Sequence, residues 1–172
     1  MHARSTIDGV HLGMQRRNVN VWWQCKGRMK LSELVPRIRF LSHFESPPEI
    51  LVIHCGGNDL GYVKLQVLRR RIKRCIFELN QMLPNTVLMW SQLLPRLRWR
   101  STQNCKAMNF AALRINSFAA ARVCSIGGGY IRYPEIEWGE SGMFANDGVH
   151  LSRLENDMFI HNLQTELYKY FS

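Results

Sequence analysis

No stretch of this 172-residue chain stays apolar for the roughly 20 positions that a membrane-crossing helix needs. The polar N-terminus lacks the charged-then-apolar profile of a secretory leader, so the expectation is an intracellular protein, cytoplasmic or nuclear. C-x-x-C pairs are missing too. The cysteines at Cys25, Cys55, Cys75, Cys105 and Cys124 are odd in number and widely spaced, which argues against a zinc ribbon or a disulfide scaffold. They read instead as reduced, mostly buried thiols, and no metal site is expected. No repeat array, long linker or low-complexity tract divides the sequence, so residues 1–172 are expected to form one domain, with residues 1–18 irregular or the remnant of a first helix.

Acid is scarce. Thirteen Asp and Glu stand against 23 Lys and Arg, for a net charge of +10. The bases gather in Arg69, Arg70, Arg71, Lys73 and Arg74, in Arg96, Arg98 and Arg100, and in Arg16, Arg17, Lys26, Arg28 and Lys30. Such a field attracts polyanions, non-specific nucleic acid among them, though a solvated basic face with no dedicated partner explains the same pattern. The remaining composition is globular: 46% hydrophobic and 21% charged residues suffice for a core and exclude a disordered chain.

Strand and helix patterns alternate. Val19 to Trp23 (VNVWW), Glu49 to His54 (EILVIH), Thr86 to Trp90 (TVLMW) and Arg122 to Ile126 read as strands, the last ended by Gly127-Gly128-Gly129. Leu31, Leu34, Val35, Ile38 and Leu41 recur at helical spacing, with Pro36 as a flaw in that helix. Leu65, Leu68, Ile72, Ile76, Leu79 and Leu83 trace one face of a second helix and leave the arginine cluster outside. Ser101 to Ala121 reads as a third helix, with Cys105, Met108, Ala112, Ile115 and Ala119 on one side. Ser152 and Glu155 have capping-box spacing before a last helix carrying Phe159, Leu163, Leu167 and Tyr170. This alternation predicts βαβ units and a parallel sheet in a three-layer α/β/α sandwich. Active sites in such folds gather at the carboxyl ends of the strands.

Two segments hold residues suited to chemistry. In HCGGNDLG, Gly56 and Gly57 let the chain turn sharply off a strand, and Asn58 then presents an amide at the sheet's edge. An N–H placed there can donate to a developing oxyanion. Asp59 reads as structural, capping the helix that follows. In NDGVHLSRLE, Asp147 stands three residues ahead of His150, and a carboxylate accepting from Nδ1 would fix the imidazole tautomer and leave Nε2 to take a proton. The pentapeptide DGVHL also occurs at Asp8 to Leu12, but that copy precedes any strand and has no partner motif, so it reads as a loop and a coincidence.

GGND at Gly56 to Asp59, followed by DGVH at Asp147 to His150, resembles the third and fifth blocks of the SGNH (GDSL-type) hydrolases. ILVIHCGGNDLG, WSQLLPR and DGVHLS further resemble the SGNH-like domains of retrotransposon-derived vertebrate open reading frames, over about Val19 to the C-terminus. Gly27 matches the glycine of that family's second block. The resemblance implies a serine esterase on a flavodoxin-like sheet, acting on a small ester without metal or organic cofactor. His150 would be the general base, Asp147 its orienter, and Asn58 with the Gly27 backbone N–H the oxyanion donors, with Gly56, Gly57 and Asp59 supporting the turn.

The family's nucleophile is a serine in a first block, after the first strand, and this chain has no G-D-S or G-H-S. Its nucleophile is therefore unknown. Ser5 lies upstream as the order requires, but no strand or glycine beside it supports the role. Ser91 follows a strand at the correct edge and falls in the wrong place in the order. Ser125 and Ser141 have less to support them. The expectation is a sheet lacking its first, central strand, and an ester hydrolase domain inactive as given, a pseudoenzyme. The alternative is a non-catalytic nucleic-acid-binding or interaction module of a mobile-element-derived protein.

Overall fold

A computed structural model describes Met14, residues 19–138 and residues 142–171. Three parallel strands form the sheet: β1 (Ile50–Ile53), β2 (Val87–Ser91) and β3 (Gly129–Ile131), in the order β1-β2-β3. The helices are α1 (Leu34–Leu41), entered through a 3-10 turn at Leu31–Glu33, α2 (Leu65–Met82), α3 (Cys105–Cys124) and α4 (Arg153–Tyr168).

Side chains alternate across each strand, and the alternation divides the core into two layers. Leu51 and Ile53 of β1, Leu88 and Trp90 of β2 and Tyr130 of β3 face α1, α2 and α3. Ile50, Val52, Val87, Met89 and Ile131 face the other way, towards Leu163 and Leu167 of α4. Because both faces are covered, the strands read as continuous apolar runs. The result is the expected three-layer sandwich. On α2, Leu68, Ile72, Cys75, Ile76 and Leu79 are buried while Arg70, Arg71, Lys73 and Arg74 lie on the outer face, as the spacing predicts.

Several expectations need correction. Val19 to Trp23 forms no strand. Its burial still alternates, with Val19, Val21 and Trp23 packed against the α4-side core and Asn20 and Trp22 turned outward. β1 pairs with β2 on one edge, and among the described residues no strand lies along its other edge. In a flavodoxin-like order that edge belongs to the central strand, and the VNVWW segment would pair beyond it. With no described strand on that edge, the segment keeps its apolar contacts and forms no ladder with a described residue.

The strand expected at Arg122 to Ile126 is misplaced. α3 continues to Cys124, the Gly128 N–H returns to the Val123 carbonyl at 3.0 Å, and β3 begins only at Gly129. The same helix starts four residues later than its pattern suggests, where Asn104 Oδ1 accepts from the Ala107 N–H at 3.0 Å. Pro36 is no flaw, because it falls in the first turn of α1, where an N–H has no intrahelical partner to lose. Ser152 precedes α4 without a side-chain cap, and Glu155 turns into the interior instead of back towards Ser152. All five cysteines are free thiols, but only Cys55 and Cys75 are fully buried, whereas Cys25 and Cys124 are exposed.

The absent ladder is open to measurement. No amide of residues 19–23 donates a backbone hydrogen bond to another described residue, so these amides are expected to exchange with solvent orders of magnitude faster than those of Leu88 and Met89 in β2. Slow exchange at Val21 would reveal a strand pairing and contradict this picture.

Candidate functional site

The carboxyl ends of β1 and β2 and the loop before α4 meet on one side of the sheet, and each predicted site residue among them is accounted for. Asp147 and His150 come together. His150 Nδ1 lies 2.5 Å from Asp147 Oδ2, and Asp147 Oδ1 accepts from the backbone N–H groups of Val149 at 2.9 Å and His150 at 3.0 Å. Those two backbone donors, then the imidazole, hold the Asp147 carboxyl well below the usual carboxylate range. A carboxylate can only accept, so the proton of this bond sits on Nδ1 and a neutral His150 presents a free lone pair on Nε2. The imidazole is open to solvent, with 79% of its side chain exposed.

Backbone bonds fix the loop that carries the pair. The Ala145 N–H donates to the His150 carbonyl at 2.9 Å, and the Ser152 N–H donates to the Met143 carbonyl at 3.1 Å. Gly148 sits at the centre with φ +66°, a conformation that disfavours any side chain. A Cβ there would also press within 3.0 Å of Arg98 Cγ. The Gly148 carbonyl accepts from Leu97 N–H at 2.9 Å and Arg98 N–H at 3.0 Å, which ties this loop to the one between β2 and α3.

Asn58 follows the β1 turn, half-buried. Its Nδ2 donates to the Met29 carbonyl at 3.1 Å, and its Oδ1 accepts from Arg96 Nη2 at 3.4 Å. An amide carries two N–H groups, so one donor remains. Asn58 and Gly57 line a cavity of about 250 Å³ together with Arg28, Lys30, Arg96 and Arg100. Gly27 is exposed in the turn closed by the Met29 N–H and the Lys26 carbonyl, one residue from that lining. Neither Asp147 nor His150 lines the cavity. The connection runs through residues 96–98: the Arg96 side chain meets Asn58, while the next two amides hold Gly148.

Gly56, with φ +112°, and Gly57 form the turn off β1. Asp59 plays a structural part, but it pins the entrance to the preceding helix and meets the following one only through Arg71. Its Oδ2 accepts from the Leu31 N–H at 2.8 Å at the entrance to α1, with Arg71 Nη1 at 3.5 Å from Oδ1. Its burial is complete.

Two arrangements escaped the sequence reading. Asn109 and Asn116, two turns apart on the buried side of α3, clamp the β2–α3 loop. Asn116 accepts from Leu93 N–H at 2.8 Å and donates to Leu93 O at 3.0 Å. Asn109 does the same at Arg96, at 3.1 and 3.0 Å, and its Oδ1 also accepts from Trp99 Nε1 at 2.9 Å. Two asparagines seven residues apart among apolar positions are the only sequence trace of this clamp.

The second arrangement pairs a serine with a different histidine. Ser91, fully buried at the end of β2, has its Oγ 2.9 Å from His54 Nδ1 and 2.7 Å from the Tyr133 hydroxyl. If Nδ1 donated, the Ser91 and Tyr133 hydroxyls would have only each other as acceptors, and one of their protons would be left buried without one. The chain therefore runs Tyr133 O–H to Ser91 Oγ, then Ser91 O–H to His54 Nδ1. Phe159 packs edge-on to His54 and stacks on Tyr133. His54 keeps open surface, yet protein atoms crowd its imidazole; that desolvation, followed by the Arg96 charge, lowers its pKa below the ordinary imidazole value. Full burial denies Ser91 Oγ to a substrate. Ser125 donates to the Arg122 carbonyl beyond α3, at the amino end of β3. Ser5, Ser141 and the first DGVHL copy lie outside the described residues.

No protein-family model and no curated protein sequence matches the chain. Solved structures do. A Bacteroides fragilis protein assigned as an acylhydrolase superposes with a TM-score of 0.69 at 17% identity, over 85% of this chain and 73% of that one. A family 3 carbohydrate esterase of Clostridium thermocellum gives 0.63 at 17% identity, over 84% and 67%. The esterase domain of a zebrafish retrotransposon open reading frame 1 protein gives 0.52 at 20% identity, over 91% and 95%. The chain has the SGNH-hydrolase fold. On that fold the turn after β1 carries Asn58, and the loop before α4 carries Asp147 and His150.

The protonation of His54 has a consequence for stability. Between 6.5, the ordinary imidazole value, and its lower folded value, the unfolded chain binds a proton that the folded chain does not. Stability is therefore expected to fall as the pH drops below about 6.5, read as a lower urea midpoint at pH 5.5 than at pH 7.5. His54→Asn should reduce that difference; an unchanged pH dependence would contradict the assignment.

Proposed function

We propose that this domain is an SGNH-type ester hydrolase in which His150, oriented by Asp147, takes up the proton and Asn58 stabilises the oxyanion. The observation that carries the reading is the Asp147–His150 pair itself, held in the one tautomer that leaves Nε2 basic. Asp147 keeps its charge because two backbone donors and the imidazole face it. Attack on an ester carbonyl places negative charge on the carbonyl oxygen. The second N–H of Asn58 and the guanidinium of Arg96 beside it are donors at the cavity for that charge. The Gly27 N–H is assigned to the same role from the family pattern.

The nucleophile is not supplied by a described serine. Ser91 is sealed by His54 and Tyr133, and no serine hydroxyl among the described residues bonds to His150. Water activated at His150 Nε2 is the attacking group that this geometry offers. A site working without its serine retains a fraction of its catalysis, roughly 10³-fold over water where triad members have been removed from other enzymes. The ester is expected to be small, since the cavity is small.

A nucleic-acid-binding module is the second reading, and the exposed basic face of α2 favours it. That face is partly neutralised, because Arg74 pairs with Glu78 at 2.5 Å and Arg71 lies beside Asp59. The Asp147–His150 pair, with Asn58 on the turn after β1, has no use in such a module. No helix among the described residues is long and apolar enough to cross a membrane.

The test is turnover of p-nitrophenyl acetate by the full chain between pH 6 and 9. A weak rate above buffer is expected, orders of magnitude below that of a complete triad, and it should disappear in His150→Ala. Equal rates for the two proteins across that range contradict the hydrolase reading.

A further inference from the structure

The cavity beside Asn58 carries an excess of positive charge that hydrolysis of a neutral ester does not need. Four cationic side chains line it, from Arg28, Lys30, Arg96 and Arg100, and no carboxylate does. Among the described residues none of the four forms an ion pair. Arg96 and Lys30 have aromatic partners instead: the Arg96 guanidinium lies 4.7 Å from the Trp99 ring centroid, and Lys30 Nζ lies 5.7 Å from that of Tyr62. Arg96 is half-buried while Arg28, Lys30 and Arg100 are exposed around it, and like charges gathered with no carboxylate in the lining repel one another in the empty site. Burial first, and then the charge of Arg100, draw the Arg96 pKa below its ordinary value.

The surrounding backbone holds this arrangement open. A Cβ on Gly57 would come within 3.1 Å of Arg96 Nη2, so the glycine lets the guanidinium lie against the turn. Arg28, which brings a second guanidinium to the lining, has φ +58°, the left-handed region that a non-glycine residue seldom adopts. Strain of this kind persists where the surroundings enforce it, and it concentrates at ligand-binding sites. Asn109 fixes the other wall, through Arg96 and Trp99.

We infer that this cavity binds the phosphate group of a small, soluble organic phosphate, and that the ester substrate carries such a group. Arginine forks match the oxygens of a phosphate, and a dianion is the compact charge that four converging cations favour. The volume of about 250 Å³ lies just under the roughly 300–1,000 Å³ of sites for drug-sized ligands, which limits the occupant to a phosphate and a short organic part. Tyr62, largely exposed at the rim, offers a face for that part. A nucleic-acid strand would meet cations spread along a surface, whereas these converge on one concavity. The assignment of the phosphate to the substrate rests on the hydrolase reading; the binding itself does not.

Calorimetric titration of the full chain with phenyl phosphate, and with phenol as its neutral counterpart, tests the inference. Saturable one-to-one binding of phenyl phosphate but not of phenol is expected, weakening as salt is raised. Arg96→Gln should loosen it by about tenfold or more. Arg100→Gln, at an exposed position that leaves the fold intact, should loosen it too, while Arg70→Gln on the outer face of α2 should leave it unchanged. Equal affinity for phenol, or an equal loss in Arg70→Gln, overturns the site. So does binding only to a single-stranded oligonucleotide or only to vesicles containing phosphatidic acid. Ester turnover without phosphate binding would overturn this inference alone, and phosphate binding without His150-dependent turnover would overturn the hydrolase reading alone.

Discussion

Two backbone N–H groups, those of Leu97 and Arg98, converge on the carbonyl of Gly148 at 2.9 and 3.0 Å. That junction joins two loops that the sequence separates by some fifty residues. One loop carries Asp147 and His150. The other carries Arg96, which reaches Asn58 and the cavity. Neither loop has regular structure of its own, so the placement of the Asp147–His150 pair relative to Arg96 and the cationic wall depends on this shared carbonyl. Gly148 is required twice over there, by its positive φ and by the Leu97 and Arg98 atoms that any side chain would strike.

The junction is only as firm as the β2–α3 loop behind it. Asn116 and Asn109 satisfy the N–H and the carbonyl of Leu93 and Arg96 from the buried side of α3. An irregular segment next to a core would otherwise leave those groups unpaired. Each asparagine takes the place of a neighbouring strand's backbone. Electrostatics then distinguish the two histidines. His150 lies exposed beside the Asp147 carboxylate, which holds a proton on Nδ1. His54, crowded at the end of β1 and accepting from Ser91, is held neutral and serves the packing between β1, β2 and Tyr133.

Much of this was legible in the sequence, and the failures share a cause. The faces of α2, the runs of β1 and β2, and the pairing of Asp147 with His150 follow from local periodicity or short spacing, and the structure reproduces them. VNVWW has the alternation of a strand and buries the predicted residues, but a ladder also needs a neighbouring strand, which no local pattern supplies. Residues 122–126 are β-prone by composition, yet they lie within or just beyond the end of α3, where helix contacts outweigh propensity. The Ser152–Glu155 spacing suggested a cap, and Glu155 turned inward. Asn58 was placed correctly at the strand end, while its bonds to Met29 and Arg96 bring together residues dozens of positions apart. The Ser91–His54–Tyr133 chain, the asparagine clamp and the cationic cavity are long-range products of this kind, beyond what spacing encodes.

The central claim is that His150 and Asn58, on separate loops, act on one bound ester. Comparing kcat/KM for p-nitrophenyl acetate between the unaltered chain and Asn58→Ala tests it most directly. The account predicts a fall of roughly a hundredfold, the loss typical of one oxyanion donor, alongside the loss of turnover in His150→Ala. An unchanged rate in Asn58→Ala contradicts it.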